Sequence, residues 1–151
     1  MPAMATTPEI IGIDHIYISV SDLGRSEPFY DAVMGILGFR KTRFAIDGDA
    51  HVQYYNRHFG YVLRPARRRV AHDAYAPGLH HLCFRVETAE DVWTLATKLR
   101  EAGIDASEPR LHPEYAPDYH ATFLRDPDGI RLEITNYRLE RQQRHDHWDE
   151  T

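Results

Sequence analysis

The 151-residue sequence predicts an α+β fold built from two tandem βαβββ modules. A histidine leads each of two alternating, strand-like segments, His15-Ile16-Tyr17-Ile18-Ser19-Val20 and His81-Leu82-Cys83-Phe84-Arg85-Val86, with a valine five residues later in both. The run from that histidine to a helix-ending glycine is also nearly equal in the two halves, 23 residues from His15 to Gly38 and 22 from His81 to Gly103. Asp126-Pro127-Asp128-Gly129 then marks a hairpin turn, because proline presets φ and glycine accepts φ > 0. Self-similarity of this kind is the mark of an internal duplication.

In the first half, residues 13–20 alternate as a strand. Asp22 or Ser21 caps a helix over about 24–35 that carries Phe29, Tyr30, Val33 and Met34, and Gly35 and Gly38 suit its termination. Strand-like segments follow at 40–46, 50–57 and 59–64. The stretch 65–79, with Pro65, three successive arginines and Pro77-Gly78, reads as a connector. In the second half, residues 80–86 form a strand and Thr88 with Asp91 resembles a capping box. Val92, Leu95, Ala96 and Leu99 mark the buried stripe of the next helix, which Gly103 ends. Strand segments are expected at about 105–110, 118–125 and 130–137, with the hairpin turn joining the last two and presenting Glu133. The polar tail LERQQRHDHWDET is expected to be a frayed helix or disordered. The whole reads as one domain, 1–151: module one about 12–64, connector 65–79, module two about 80–137 and tail 138–151.

Composition narrows the function classes. With 42% hydrophobic residues, 11% aromatics and a formal net charge of -5, the chain has the make-up of a soluble globular protein and lacks the general basic field that nucleic acid requires. The lone cysteine, Cys83, forms no intrachain disulfide and is compatible with a reducing cytoplasm. Residues 1–12 lack both a basic start and a long apolar run, and no stretch approaches the ~20 apolar residues of a membrane helix. A cytoplasmic protein without membrane or nucleic-acid partners is expected.

Alternation sends successive side chains to opposite faces of a sheet. Ile16, Ile18 and Val20 share one face of the first strand, and His15, Tyr17 and Ser19 the other. Leu82, Phe84 and Val86 oppose His81, Cys83 and Arg85, while Leu132 and Ile134 oppose Arg131, Glu133 and Thr135. The apolar faces belong beneath the helices. The polar faces hold His15, His81 and Glu133, and two imidazoles with one carboxylate are the protein set for a divalent metal with open coordination positions.

Three motifs, DHIYISVSDLGRSEPFYDAVMGILGF, GLHHLCFRV and FLRDPDGIRLEI, resemble those of the vicinal oxygen chelate superfamily, which includes glyoxalase I, fosfomycin-resistance proteins, extradiol dioxygenases and bleomycin-resistance proteins. The resemblance covers nearly all of residues 12–137. It implies paired βαβββ modules whose curved sheets enclose a divalent metal, with ligand positions at His15, His81 and Glu133. His80 is the rival to His81, which stands at the motif histidine and matches the alternation of His15. The resemblance also implies a homodimer, with the site either intrachain or shared, drawing His15 from one chain and His81 with Glu133 from the other.

Glyoxalase I adds a carboxylate or its equivalent on the fourth strand, where this chain reads Phe59-Gly60-Tyr61-Val62-Leu63-Arg64-Pro65. The three-ligand set that remains suits dioxygenase-like or transferase-like chemistry on a small substrate that chelates the metal through neighbouring oxygens, with iron(II) or manganese(II) favoured over nickel or zinc. The alternatives are glyoxalase-like lyase or isomerase chemistry and metal-free binding of a drug-like molecule of the bleomycin type. Tyr61, Tyr119, His51 and His120 are candidates to hold or deliver protons beside the metal, against ordinary strand packing. Arg64, Arg67, Arg68 and Arg69 offer anion contacts or a solvated connector. Cys83 shares a face with His81 and reads as a small packed side chain, and His145 and His147 as solvent-exposed.

Overall fold

The computed structural model describes residues 6–150, so residues 1–5 of the segment read for a leader, and Thr151, lie outside the described residues. The first module runs β1 (His15–Val20), α1 (Leu23–Ile36), β2 (Arg40–Ile46), β3 (Asp49–Tyr55) and β4 (Gly60–Pro65). The second runs β5 (Leu82–Val86), α2 (Ala89–Glu101), β6 (Arg110–Leu111), β7 (His120–Arg125) and β8 (Arg131–Asn136), and α3 (Leu139–Asp146) with a short 3-10 turn at Trp148–Glu150 follows. Each module forms a four-stranded mixed sheet of equivalent order, β1-β4-β3-β2 and β5-β8-β7-β6. The first strand of each pairs in parallel with the last, and the other pairs are antiparallel. The duplication is thus one of topology as well as of sequence.

The helices begin and end as the sequence predicts. Asp22 caps α1 by accepting the Arg25 N–H at 3.3 Å, and Thr88 with Asp91 closes a reciprocal capping box on α2 with two bonds of 3.1 Å. Gly38 and Gly103 both have φ above +80°, the left-handed conformation that ends a helix at little cost only for glycine. Ser21, the other cap candidate, bonds to Asp128 of the second module instead.

One expected element differs. The sixth strand shrinks to Arg110–Leu111, because Pro109 has no N–H to donate and Ser107 satisfies β7 irregularly, its N–H donating to Phe123 O and its Oγ accepting the Phe123 N–H. The tail takes the helical one of its two expected forms, as α3, and Asp118 accepts the otherwise unpaired first N–H, that of Leu139, at 2.9 Å. No described helix is long and apolar enough to cross a membrane.

One buried cluster draws on both modules, with Ile18, Val20, Tyr61 and Leu63 from the first sheet, Phe84, Leu124, Leu132 and Ile134 from the second, and Tyr30, Val33, Met34 and Leu99 from the helices. Each large aliphatic side chain enclosed there contributes roughly 1.5–3 kcal/mol. Polar bonds cross the same junction. Tyr61 donates its hydroxyl to Tyr30 Oη at 3.0 Å, and Tyr30 donates to Asp126 Oδ2 at 2.8 Å. Asp126 also accepts the N–H groups of Asp128 and Ile130, each at 2.8 Å, and Asp128 accepts from Ser21 and Arg25.

Tyr30→Phe removes a buried donor to Asp126 and an acceptor for Tyr61, and is expected to lower stability by about 1–2 kcal/mol in urea unfolding. An unchanged midpoint would show that the bonded chain contributes nothing to the junction.

Candidate metal centre

Strand register decides which residues face the open sides of the sheets. In the first sheet His15 pairs with Gly60, Tyr17 with Val62 and Ser19 with Arg64, while Val62 also pairs with Gln53. These side chains share the face turned away from Ile18 and Val20. His15, Tyr17, Gln53 and Tyr55 line a cavity of about 480 Å³. An aromatic ladder supports it, with His15 5.6 Å from Tyr17, Tyr17 5.6 Å from His51, and His51 stacked on Phe44 at 4.9 Å. His15 Nδ1 is 2.7 Å from Asp14 Oδ2, a carboxylate–histidine pair that leaves Nε2 as the nitrogen available to a metal.

In the second sheet Cys83 and Phe123 both pair with Glu133, placing these three on one face. His81 precedes β5 immediately, and its Nε2 lies 3.4 Å from Glu133 Oε1. His80 instead meets the far side of that ring, its Nδ1 2.8 Å from His81 Nδ1, so His81 is the histidine turned to the carboxylate. Tyr119 donates its hydroxyl to Glu133 Oε2 and lies beneath the guanidinium of Arg138, whose Cζ is 4.6 Å from the ring centre. His81, Tyr119 and Glu133 line a second cavity, of about 780 Å³. Burial, followed by the bond to Glu133, raises the Tyr119 hydroxyl above the usual tyrosine range, so it stays a proton donor at neutral pH.

The structure therefore brings His81, Glu133 and Tyr119 together and leaves His15 on the other sheet, in the other cavity. Among the described residues no group of three or more His, Cys, Asp or Glu side chains is gathered in one chain to hold a metal. The donor types still fit a divalent ion, since His15 and His81 each present an imidazole whose Nδ1 is already engaged, and beside His81 lies the Glu133 carboxylate.

Two of the candidate proton-handling residues face elsewhere. Tyr61 pairs with Ile16 on the apolar face and is fully buried against Tyr30, so it belongs to the core. His120 shares a strand face with Thr122 and Leu124, opposite to Phe123 and Glu133, and is turned from the cavity. His51 is on the open face of the first sheet but is 1% exposed, its Nδ1 2.9 Å from Asp49 O. Arg64 and Arg67 both reach the one carboxylate of Asp49, at 2.5 and 3.5 Å, which offsets part of the charge of this arginine run. His145 and His147 bond to Asp146 and Glu150 on the exposed tail, as expected. Gln53 went unread: only register reveals it, and a Cβ on Gly60 would come within 3.1 Å of its amide nitrogen.

The model of the Glyoxalase/Bleomycin resistance protein/Dioxygenase superfamily matches residues 12–134. The chain is 27% identical over 129 residues to the virulence protein STM3117 of Salmonella typhimurium, covering 83% of each. It is 28% identical over 129 residues to the metallothiol transferase FosB of Bacillus licheniformis, covering 83% of this chain and 75% of that protein. Among solved structures, a glyoxylase/bleomycin resistance protein/dioxygenase domain from Frankia sp. EAN1pec aligns with a TM-score of 0.70 and 25% identity, over 86% of this chain and 100% of that one. Matching strand motifs, duplicated βαβββ topology and a family match across both modules lead to one conclusion: the chain belongs to the glyoxalase/bleomycin resistance protein/dioxygenase superfamily.

Proposed function

We propose that this protein is a metal-dependent enzyme acting on a small molecule, with each metal centre assembled between two chains from His15 of one and His81 and Glu133 of the other. The observation that carries the reading is the convergence of His81 Nε2 on Glu133 Oε1 at 3.4 Å at the edge of an open cavity, while the third donor lies in a second open cavity. Both faces expose groups that association would cover. The His15 and His81 side chains are 53% and 44% exposed, and Tyr17, Tyr115 and Phe123 are exposed around them. Two copies related by a twofold axis would bring first-module and second-module faces together twice.

His15, His81 and Glu133 would hold a divalent ion, with iron(II) or manganese(II) favoured, which would supply Lewis acidity that stabilises negative charge developing on the substrate. Glu133 is held in place by the Tyr119 hydroxyl, which leaves its second oxygen to the metal side. Tyr119 serves as the proton donor nearest the carboxylate. On β4 the residues of the open face are Gly60, Val62 and Arg64, none of which accepts a proton at neutral pH, so a glyoxalase-type carboxylate base is missing from that strand. Dioxygenase-like or transferase-like chemistry follows, and the resemblance to a protein named a metallothiol transferase supports the latter. Cys83 is not the nucleophile. Cys83 is exposed on the cavity face rather than packed as its sequence context suggested, yet desolvation around its sulfur, together with the neighbouring Glu133 carboxylate, pushes its thiol up to about 12, so the thiolate is scarce at neutral pH.

Purified protein is expected to carry about one divalent ion per chain, and His15→Ala, His81→Ala or Glu133→Ala each to reduce occupancy sharply. Mixing unfolded and refolded His15→Ala with Glu133→Ala chains should restore about a quarter of the sites, since only mixed dimers regain one intact set. A monomeric mass at micromolar concentration would reject the shared centre, and a metal-free protein that binds a drug-like ligand would favour the binding-module reading.

Hemithioacetal isomerisation should be weak or absent with nickel or zinc, while oxygen uptake with catechols, or thiol addition to a small electrophile, marks the reaction class. Efficient isomerisation without either activity would put lyase chemistry first.

In chelator-treated protein Cys83 should react slowly with iodoacetamide at pH 8 and faster as pH rises toward 12. Removing the negative neighbour in Glu133→Gln lowers the thiol pKa and should speed alkylation at pH 8. Equal rates in the two proteins would show that the carboxylate does not act on the thiol.

A further inference from the structure

Arg125 and Arg131 stand directly opposite one another where β7 and β8 meet their hairpin, and both line the cavity that contains His81 and Glu133. Opposed residues of an antiparallel pair have Cβ atoms about 5 Å apart, and like charges so placed repel. Elsewhere in this chain the comparable problem is solved by a carboxylate, as Asp49 does for Arg64 and Arg67. Here none does so. Among the described residues the Arg125 guanidinium has no ion-pair or hydrogen-bond partner, and Arg131 has only Tyr75, its Cζ 5.2 Å from that ring and Nη1 3.4 Å from the hydroxyl. Asp105, the other acid lining the cavity, pairs with neither. Tyr75 orients the fork without neutralising it.

We propose that Arg125 and Arg131 form an oxyanion-binding subsite, so that the substrate is a small organic acid. The proposal rests on the cavity beside Glu133 being the substrate site. Arg131 is two residues from Glu133 on the same strand face, which sets the subsite about 7 Å along the strand from the carboxylate. A molecule of a few carbon atoms spans that gap, with its acidic group between the two forks and its oxygen pair at His81 and Glu133. Guanidinium forks bind carboxylate and phosphoryl or phosphonyl oxygens alike. Phe123 and Tyr115 wall the cavity between these ends and receive the carbon skeleton.

The test is calorimetric titration of chelator-treated, full-length protein with inorganic phosphate and, separately, with acetate. Saturable binding of either is expected, and the tighter of the two assigns the acidic group. Arg125→Gln and Arg131→Gln should each weaken it by about tenfold or more, with partial recovery in the Lys variants, which keep charge but lose the fork. Arg68→Gln, on the connector, should change nothing. Thermal midpoints of the two Gln variants should equal or exceed that of the parent, since repulsion is relieved, whereas arginines with a purely structural role would lose stability. Absence of saturable binding, or unchanged affinity in both Gln variants, overturns the subsite. Metal content measured on the same proteins separates the two readings: arginine-dependent anion binding without metal uptake defeats the metal centre alone, and metal uptake without anion binding defeats the subsite alone.

Discussion

The buried carboxylate of Asp126 holds its own turn by accepting two backbone N–H groups and holds α1 by accepting the Tyr30 hydroxyl. Burial keeps its carboxyl above the ordinary aspartate range, and the three donors offset a desolvation that an unpartnered charge in this position would not survive. From Tyr30 the chain of hydroxyls continues to Tyr61 on β4, so the helix of one module, the sheet of that module and the terminal hairpin of the other converge on one side chain. Asp128, two residues on, repeats the device at the helix start through Ser21 and Arg25. The apolar cluster supplies most of the adhesion between modules, and these carboxylates fix where the hairpin sits relative to it.

With both apolar faces consumed in that junction, the polar faces of the two sheets are left outward. This explains why His15 and His81 are accessible although each begins or adjoins a sheet strand of a well-packed fold. It also explains the separation of the candidate ligands: within one chain the sheets present their open faces away from the shared core. Charge is distributed unevenly across this arrangement. The chain is acidic overall, with a formal net charge of -5, yet the cavity around Glu133 carries Arg125 and Arg131.

Much of this was legible in sequence because it depends on local chemistry. The duplicated histidine-led strands, the Thr88–Asp91 capping box, the glycines after both helices and the Asp126–Gly129 turn each state their own conformation, and the equivalent sheet orders follow from repeating them. The pairing of His81 with Glu133 was legible for the same reason, as alternation alone puts both on the polar side. What escaped depends on partners remote in sequence. Tyr61 alternates into the core because β4 aligns with β1 at Ile16, a register no local pattern announces. Gln53 comes beside His15 through a glycine on a third strand, and Arg138 meets the Tyr119 ring only once the tail has folded back to Asp118.

The length of the turn between β7 and β8 carries a consequence of its own. Because strand side chains alternate with a period of two, the five residues 126–130 determine whether Glu133 or Ile134 points at the cavity. Inserting or deleting one residue there would exchange them, sending a carboxylate into the hydrophobic interior and an aliphatic group to the cavity. The hairpin therefore acts as a phase setter: substitutions at its surface positions are tolerable, whereas a change in its count by one inverts the chemistry of the strand that follows.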